Sequence, residues 1–547
     1  MEERSPLHML YHWETNTPEK VYLRQPIGGT WKTWTWKETA NEVRRMAAAL
    51  KKMDFPPGSH IALLSKNCAH WILCDLAIMM SGHVSVPLYS NLTAASMGQI
   101  LQHSDAVLLF VGKLDNWPSL KPAIPEHLPC ISFSLYNSDY TSWDELIQQN
   151  EPLQSPAHRS ADEIVTIIYT SGTTGKPKGV MHRFRSFSFS TVKSLPLLGM
   201  NQRSKFFSYL PLSHSAERSL VEMCSLYAGG EVFFCESIEE FSFNLVAARP
   251  TVFLAVHHIW KKIQQRILKK MPQKRLDRLL KVPILSGLIK KRIRRSLGLD
   301  SATTIFTGAA PTPVELIRWF GRIGIHIQEA YGLTENWSYS HANRRQNIRV
   351  GSVGLPLPGV AVKIGEYDEV QVKHDALMAG YYKDDSLTRE AFTDDGFLKT
   401  GDEGFVDEEG FLKITGRIKD LFKTAKGKYV APSPIEMKFA ANCDLEQVCV
   451  VGAGLPQPMA LVILTEKGKK SKIEETNAGL NDTLSDINST LDAHEKVHKI
   501  VVLNDEWTVE NNLLTPSFKI KRHEIEKKYT SFYEEWNNAE GGVARQT

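Results

Sequence analysis

Ile164-Val165-Thr166-Ile167-Ile168-Tyr169-Thr170-Ser171-Gly172-Thr173-Thr174-Gly175-Lys176-Pro177-Lys178-Gly179 is the stretch on which the reading of this chain turns. Its first five residues are apolar or β-branched, the texture of a buried strand. The eleven that follow carry four aliphatic hydroxyls, three glycines and two lysines. Glycines let backbone approach an anion closely, hydroxyls and amides bond its oxygens, and lysines offset its charge. A polyphosphate is the matching guest. The Walker pattern is different, because it needs two glycines four residues apart, then Lys and Ser or Thr opening a helix. Pro177 biases Lys176 toward extended backbone and removes a donor. A Gly/Thr-rich hairpin is therefore expected, with a plain surface turn as the alternative.

Upstream, strand-like and helix-like segments alternate: His60 to Ser65, Cys68 to Met80, Val84 to Leu88, Thr93 to His103 and Asp105 to Val111. Such alternation predicts parallel strands with helical crossovers. It resumes at Phe206, Glu231 to Cys235 and Thr251 to Val256. From Gly351 the texture turns β-rich, as in Gly359 to Ile364 and Glu369 to Lys373. Beyond Gly416-Arg417 a smaller α+β unit is expected, with strands Val448 to Val451 and Ala460 to Leu464. Its helices are expected at Thr483 to His494 and His523 to Trp536, with a frayed end from Ala539. The expected fold is α/β. A large N-terminal domain (1–417) would hold doubly wound α/β subdomains and a β-rich part (351–417), and a smaller mobile C-terminal domain (418–547) would be hinged near 418–419.

The 547 residues exceed what one core organises. A hydrophobic content of 42% with 23% charged residues is that of a globular protein. The apolar run Trp71 to Met80 is too short to span a bilayer and is broken by Asp75. Met1 to Leu10 carries acids and no apolar signal core, so a cytoplasmic chain is expected. Seven cysteines without a CxxC pair suggest neither a disulfide frame nor a zinc site. The net charge of +4 hides fourteen Lys or Arg against one acid, Asp277, between Lys261 and Arg295. The remainder is net acidic.

Further segments gain meaning together: Tyr331-Gly332-Leu333-Thr334-Glu335, Thr400-Gly401-Asp402, Gly416-Arg417-Ile418-Lys419-Asp420, and Leu514-Thr515-Pro516-Ser517-Phe518-Lys519-Ile520-Lys521-Arg522. In this order, with the hydroxyl-rich loop, they resemble the adenylate-forming superfamily of acyl-CoA synthetases, luciferases and peptide-synthetase adenylation domains. The likeness runs from about Trp34 to Lys528. Tyr209-Leu210-Pro211-Leu212-Ser213-His214 with Glu217-Arg218 is most similar to bacterial long-chain fatty acyl-CoA synthetases, as is the basic insertion after Pro250.

The resemblance implies an ATP-dependent fatty acid–CoA ligase working through an acyl-adenylate. It implies that Thr170, Ser171, Gly172, Thr173, Thr174, Gly175 and Lys178 hold the β- and γ-phosphates, and that Thr173 and Glu335 hold Mg2+. Gly308, Ala309 and Ala310, with Glu329, Ala330 and Tyr331, would flank the adenine, and Thr334 the α-phosphate. Asp402 would accept the ribose hydroxyls, supported by Arg417. Lys519 would be the adenylation lysine, Lys419 the hinge and Lys423 a nucleotide contact. His214, Gly308 and Gly332 would line the acyl site, and the loop at Gly427 would serve thioester formation. A core role for His214 stays open. The tandem His257-His258, taken as strand residues facing opposite ways, suggests no metal.

The sequence departs from the superfamily at Phe518, where many members have glycine, at Ala425-Lys426 before Gly427, and at Val256-His257-His258. A ligase loading an acyl carrier protein or another carboxylate-adenylating relative, and a non-catalytic acyl- or AMP-binding protein at a membrane, are the rival readings. Ile263, Ile267 and Met271, then Leu285, Leu288, Ile289, Ile293 and Leu297, recur at helical spacing among the lysines and arginines. This suggests amphipathic helices suited to an anionic membrane surface through 261–295, on the inner face of the cell membrane. A solvated insertion is the bland rival, and no nucleic-acid motif accompanies the charge. A homodimer is left open.

Overall fold

The computed structural model describes residues 4–136, 139–155, 157–171, 177–440 and 442–546. Its architecture is α/β, with a large N-terminal domain and a smaller C-terminal one. Among the described residues the large domain holds a nine-stranded, an eight-stranded and a four-stranded sheet, and the small domain a four-stranded one.

In the eight-stranded sheet, His60–Leu64 lies between Val84–Leu88 and Ala106–Val111, parallel to both. All five residues of Val84–Leu88 are buried, as expected of a strand covered on both faces. The helix Ala69–Ser81 between the first two strands is buried on every side, because it lies within the large core. Its C-cap is Gly82 at φ 96°, a left-handed turn that only glycine adopts freely. Ile164–Ser171 and Pro177–Arg183 pair antiparallel, with Thr170 opposite Lys178. The expected hairpin is therefore present, and its strands belong to the sheet. Gly172, Thr173, Thr174 and Gly175, and the side chain of Ser171, lie outside the described residues.

The third sheet contains Ala361–Ile364, Glu369–Lys373, Leu398–Val406 and Leu412–Arg417. The small domain opens with the hairpin Phe422–Lys423 and Tyr429–Val430 and has cores of its own on both faces of its sheet. Three expectations are corrected there. The helix expected at 483–494 is Ile473–Asn488, with Glu474 and Glu475 in its first turn, where acids favour a helix start. The segment 523–536 is not one helix: Arg522–Tyr529 passes through a 3-10 turn at Thr530–Phe532 into Tyr533–Asn538. The end is not frayed, because Val543–Arg545 pairs parallel with Lys499–Val502 and buries Ala544.

The basic region forms three helices, His257–Lys270, Gln273–Leu280 and Pro283–Ser296. His257 and His258 therefore begin a helix, and the strand ends at Leu254. Ile263, Ile267, Leu276 and Ile293 anchor these helices to a core around Trp260 and Phe320. Leu285 and Leu288, two of the apolar residues at helical spacing, stay exposed. No helix among the described residues is long and apolar enough to cross a membrane.

Candidate active site

The third sheet supplies the first pair. Asp402 and Arg417 are cross-strand partners, and the Arg417 Nε lies 2.8 Å from Asp402 Oδ1. The Tyr331 hydroxyl, from the nine-stranded sheet, donates to Asp402 Oδ2 at 2.6 Å. Asp402 is buried. Burial pushes its carboxyl pKa up, while Arg417, the Tyr331 hydroxyl and Lys519 pull it back. The same carboxylate raises the pKa of Arg417. An ionised carboxylate accepts about four hydrogen bonds, so two protein donors leave room for ligand hydroxyls.

The segment 331–338 is a tight knot. Trp337 and Ser338 both take left-handed backbone, at φ 56° and 54°. A Cβ on Gly332 would sit 2.6 Å from the Ser338 backbone, so this turn requires glycine. The Asn336 side chain accepts from the Leu333 N–H at 2.8 Å. His182 Nε2 lies 2.7 Å from the Thr334 carbonyl. Burial holds its pKa down to about 3, so it is a neutral imidazole donating from Nε2. The Tyr381 hydroxyl donates to Glu335 Oε1 at 3.0 Å, and the Lys178 ammonium sits 5.7 Å from the centre of the Tyr381 ring. The hairpin that carries the hydroxyl-rich loop is thus tied through Tyr381 to Glu335.

Lys519 enters from the small domain on a short turn. A bridge between Leu514 and Ile520 closes that turn, and the Lys519 N–H donates to Thr515 Oγ1 at 3.0 Å. Phe518 precedes it at φ 59°, the left-handed region that its aromatic side chain disfavours and glycine adopts freely. Asn91 of the large domain pins the turn, donating to the Pro516 carbonyl at 2.8 Å. Lys519 lies in an open cleft that solvent reaches. The surrounding protein and then Arg417 lower its ammonium pKa, while Asp402 and Glu335 raise it. His214 faces the same cleft, and its pKa falls to about 4 through burial and then Lys519. Its Nδ1 accepts from the Ala216 N–H at 3.1 Å, which caps its own turn and fixes the ring.

Gly308 lies beside Ala330, and a Cβ there would meet the Ala330 carbonyl at 2.9 Å. Ala309 follows in left-handed backbone, and Ala310 is half-buried. Glu329 accepts from the Gly351 N–H at 2.9 Å, and burial pushes its pKa up to about 7. Lys419 and Lys423 are exposed, and among the described residues no side-chain hydrogen bond or ion pair ties them to the cleft. Lys423 packs over Tyr429, within the hairpin whose turn holds Gly427 at φ 76°. Sequence reasoning missed Tyr381, His182 and Asn91. Lone residues of common type carry no spacing signal, and only the fold brings them to the site.

The AMP-binding enzyme family model matches residues 10–382. The chain belongs to this family. Its C-terminal domain model matches residues 419–538. The chain is 29% identical to the long-chain-fatty-acid–CoA ligase FadD15 of Mycobacterium bovis, covering 97% of each. It is 29% identical to fatty acyl-CoA synthetase A of Dictyostelium discoideum, over 92% of this chain and 85% of that one. Among solved structures, the adenylation domain of a carboxylate reductase from Mycobacterium chelonae superposes with a TM-score of 0.80 at 21% identity, covering 98% and 91%. The o-succinylbenzoate CoA synthetase of Bacillus subtilis gives 0.75 at 23%, covering 96% and 98%.

Proposed function

We propose that this enzyme activates a medium- or long-chain fatty acid with ATP and transfers the acyl group to CoA. The observation that carries the reading is that Asn91 of the large domain pins the turn of Lys519, which brings its ammonium within electrostatic reach of Asp402, Arg417 and Glu335. Near full-length likeness to long-chain ligases supports the substrate class.

A carboxylate resists nucleophiles because its charge repels them and oxide does not leave. Attack of its oxygen on the α-phosphorus of ATP forms the acyl-adenylate and expels pyrophosphate. The thiol of CoA then adds to the carbonyl, loses its proton and expels AMP. The first step gathers anions, so fixed cations supply most of the stabilisation. Lys519, a compact three-donor point charge, bridges carboxylate and α-phosphate oxygens. Asp402 holds the ribose, with Arg417 keeping it ionised and Tyr331 fixing its second oxygen. Thr334 reaches the α-phosphate from a turn that His182 steadies.

Among the described residues no group of three or more His, Cys, Asp or Glu could hold a metal ion. Glu335 nonetheless suits Mg2+, which takes one or two protein oxygens and completes its shell with phosphates and water. Tyr381 occupies one of its oxygens, and Thr173 would be the partner ligand. Bound there, Mg2+ would offset the charge of the phosphates.

The domain boundary belongs at 417–418, with Lys419 as the hinge. Rotation about it would withdraw Lys519 and present the Gly427 turn for thioester formation. Pyrophosphate release across fatty acids of graded length, with and without CoA, tests the reading. Release with lipidic acids, and acyl-CoA only when CoA is present, is expected. No release with any acid would end the proposal, and acylation of holo-carrier protein in preference to CoA would move it to the carrier-protein ligases. Lys519→Ala should slow adenylation by about 10²–10³, while thioester formation from preformed acyl-adenylate survives. Equal damage to both half-reactions would remove its assigned role.

A further inference from the structure

Apart from Lys261, no charge between 261 and 295 is used by the proposed reaction, and the fold turns part of that region's apolar surface outward. Where the second basic helix passes into the third, Val282 is 46% exposed, Ile284 80%, Leu285 42% and Leu288 61%. They form one patch on a loop and the first two turns of Pro283–Ser296. Ile293, further along the same helix, is buried and fixes it to the core. Around the patch Lys274, Arg275, Arg278, Lys281, Lys291 and Arg292 are all exposed. The lone acid of the region, Asp277, is paired with Arg322.

An exposed apolar patch usually marks a partner. A protein partner would need a dense acidic surface ringing an apolar socket. A bilayer offers anionic headgroups above an apolar interior everywhere on its surface, and cations around exposed aliphatic residues match that order. We propose that residues 282–288 insert into an anionic lipid bilayer while the surrounding lysines and arginines meet its headgroups. This deepens the ligase reading by naming where a lipidic acid is encountered. The docking itself does not require that reading to hold.

The test is cosedimentation of the full chain with phosphatidylcholine vesicles with or without phosphatidylglycerol. It is repeated on Ile284→Asp/Leu288→Asp, two exposed positions away from the cleft. Wild type should sediment only with the anionic vesicles, and the double variant should bind roughly tenfold more weakly. Its melting temperature and its pyrophosphate release with a short, soluble acid should be unchanged. Absence of binding to anionic vesicles overturns the proposal. So does equal binding by both proteins, which reduces the region to adsorbed charge. Self-association lost in the variant without vesicles, or tighter binding to RNA than to vesicles, also overturns it by assigning the patch elsewhere. Vesicle binding without pyrophosphate release from any acid would leave this proposal standing and remove the ligase reading.

Discussion

Glu217 lies in the turn after His214, wholly buried, with Oε1 accepting the Tyr209 N–H at 3.1 Å. Among the described residues nothing donates to its Oε2. Burial pushes its pKa up to about 8, while the nearby Ser208 hydroxyl and the Tyr209 and Leu210 amides lower it. Below about 4.5, the ordinary value, folded and unfolded chains both hold the proton. As pH rises from there toward about 8 the unfolded chain ionises first, so stability falls across that window and levels above it. Glu217→Gln should flatten this slope. Melting temperatures of both proteins between those limits check it, and an equal decline would acquit Glu217. In the sequence this residue was legible only as part of a motif. Lys519 was legible in the same way, while Tyr381 and His182, which hold Glu335 and Thr334, were not, because their partners lie 46 and 152 positions away.

Among elements, the helix Ala69–Ser81 and the π-helical turn Arg218–Met223 are joined by one buried cluster. Arg218 donates to both Asp75 oxygens at 2.7 and 2.6 Å and to Thr166 Oγ1 at 2.7 Å. Its guanidinium also lies over the rings of Trp71, Phe187 and Trp337. Glu222 stands 3.3 Å from the Arg218 Nε, and burial drives its pKa upward. The cluster ties the eight-stranded sheet, through Thr166, to the knot that holds Thr334 and Glu335, through Trp337. Arg218→Met leaves Asp75 buried without its cation and should cost about 3–5 kcal/mol. Denaturant midpoints measure it, and adding Asp75→Asn should restore part of the loss. In the sequence Asp75 was only a flaw in an apolar run. Strand and helix identities in this half were legible because period and burial agree. The helix at 473–488 was misplaced because its apolar face is sparse, and the closing strand was missed because three residues beside a glycine pair resemble a tail.

At the scale of the whole molecule, the two domains touch away from the cleft as well. The Lys261 ammonium, on the first basic helix, donates to the carbonyls of Asn442 and Leu445 in the small domain at 3.0 and 3.2 Å. Burial lowers its pKa, while the nearby Cys443, Asp444 and Glu446 raise it. This contact favours the orientation in which Lys519 reaches Asp402. Lys261→Ala should slow adenylation about fivefold, the effect of about 1 kcal/mol, and leave thioester formation from preformed acyl-adenylate intact. Comparing the two half-reactions checks it, and an unchanged adenylation rate would show that the contact does not govern the swing. That contact was beyond the sequence, since a lysine in a cationic run carries no sign of a carbonyl partner in another domain.

For the proposed rotation of the small domain, the chemistry of the Lys261 contact has a further consequence. An ammonium and two carbonyls are groups that water can take over the moment they part, so letting go costs little. An oily clasp at the same place would expose its grease on every opening and hold the protein in the first half of its work.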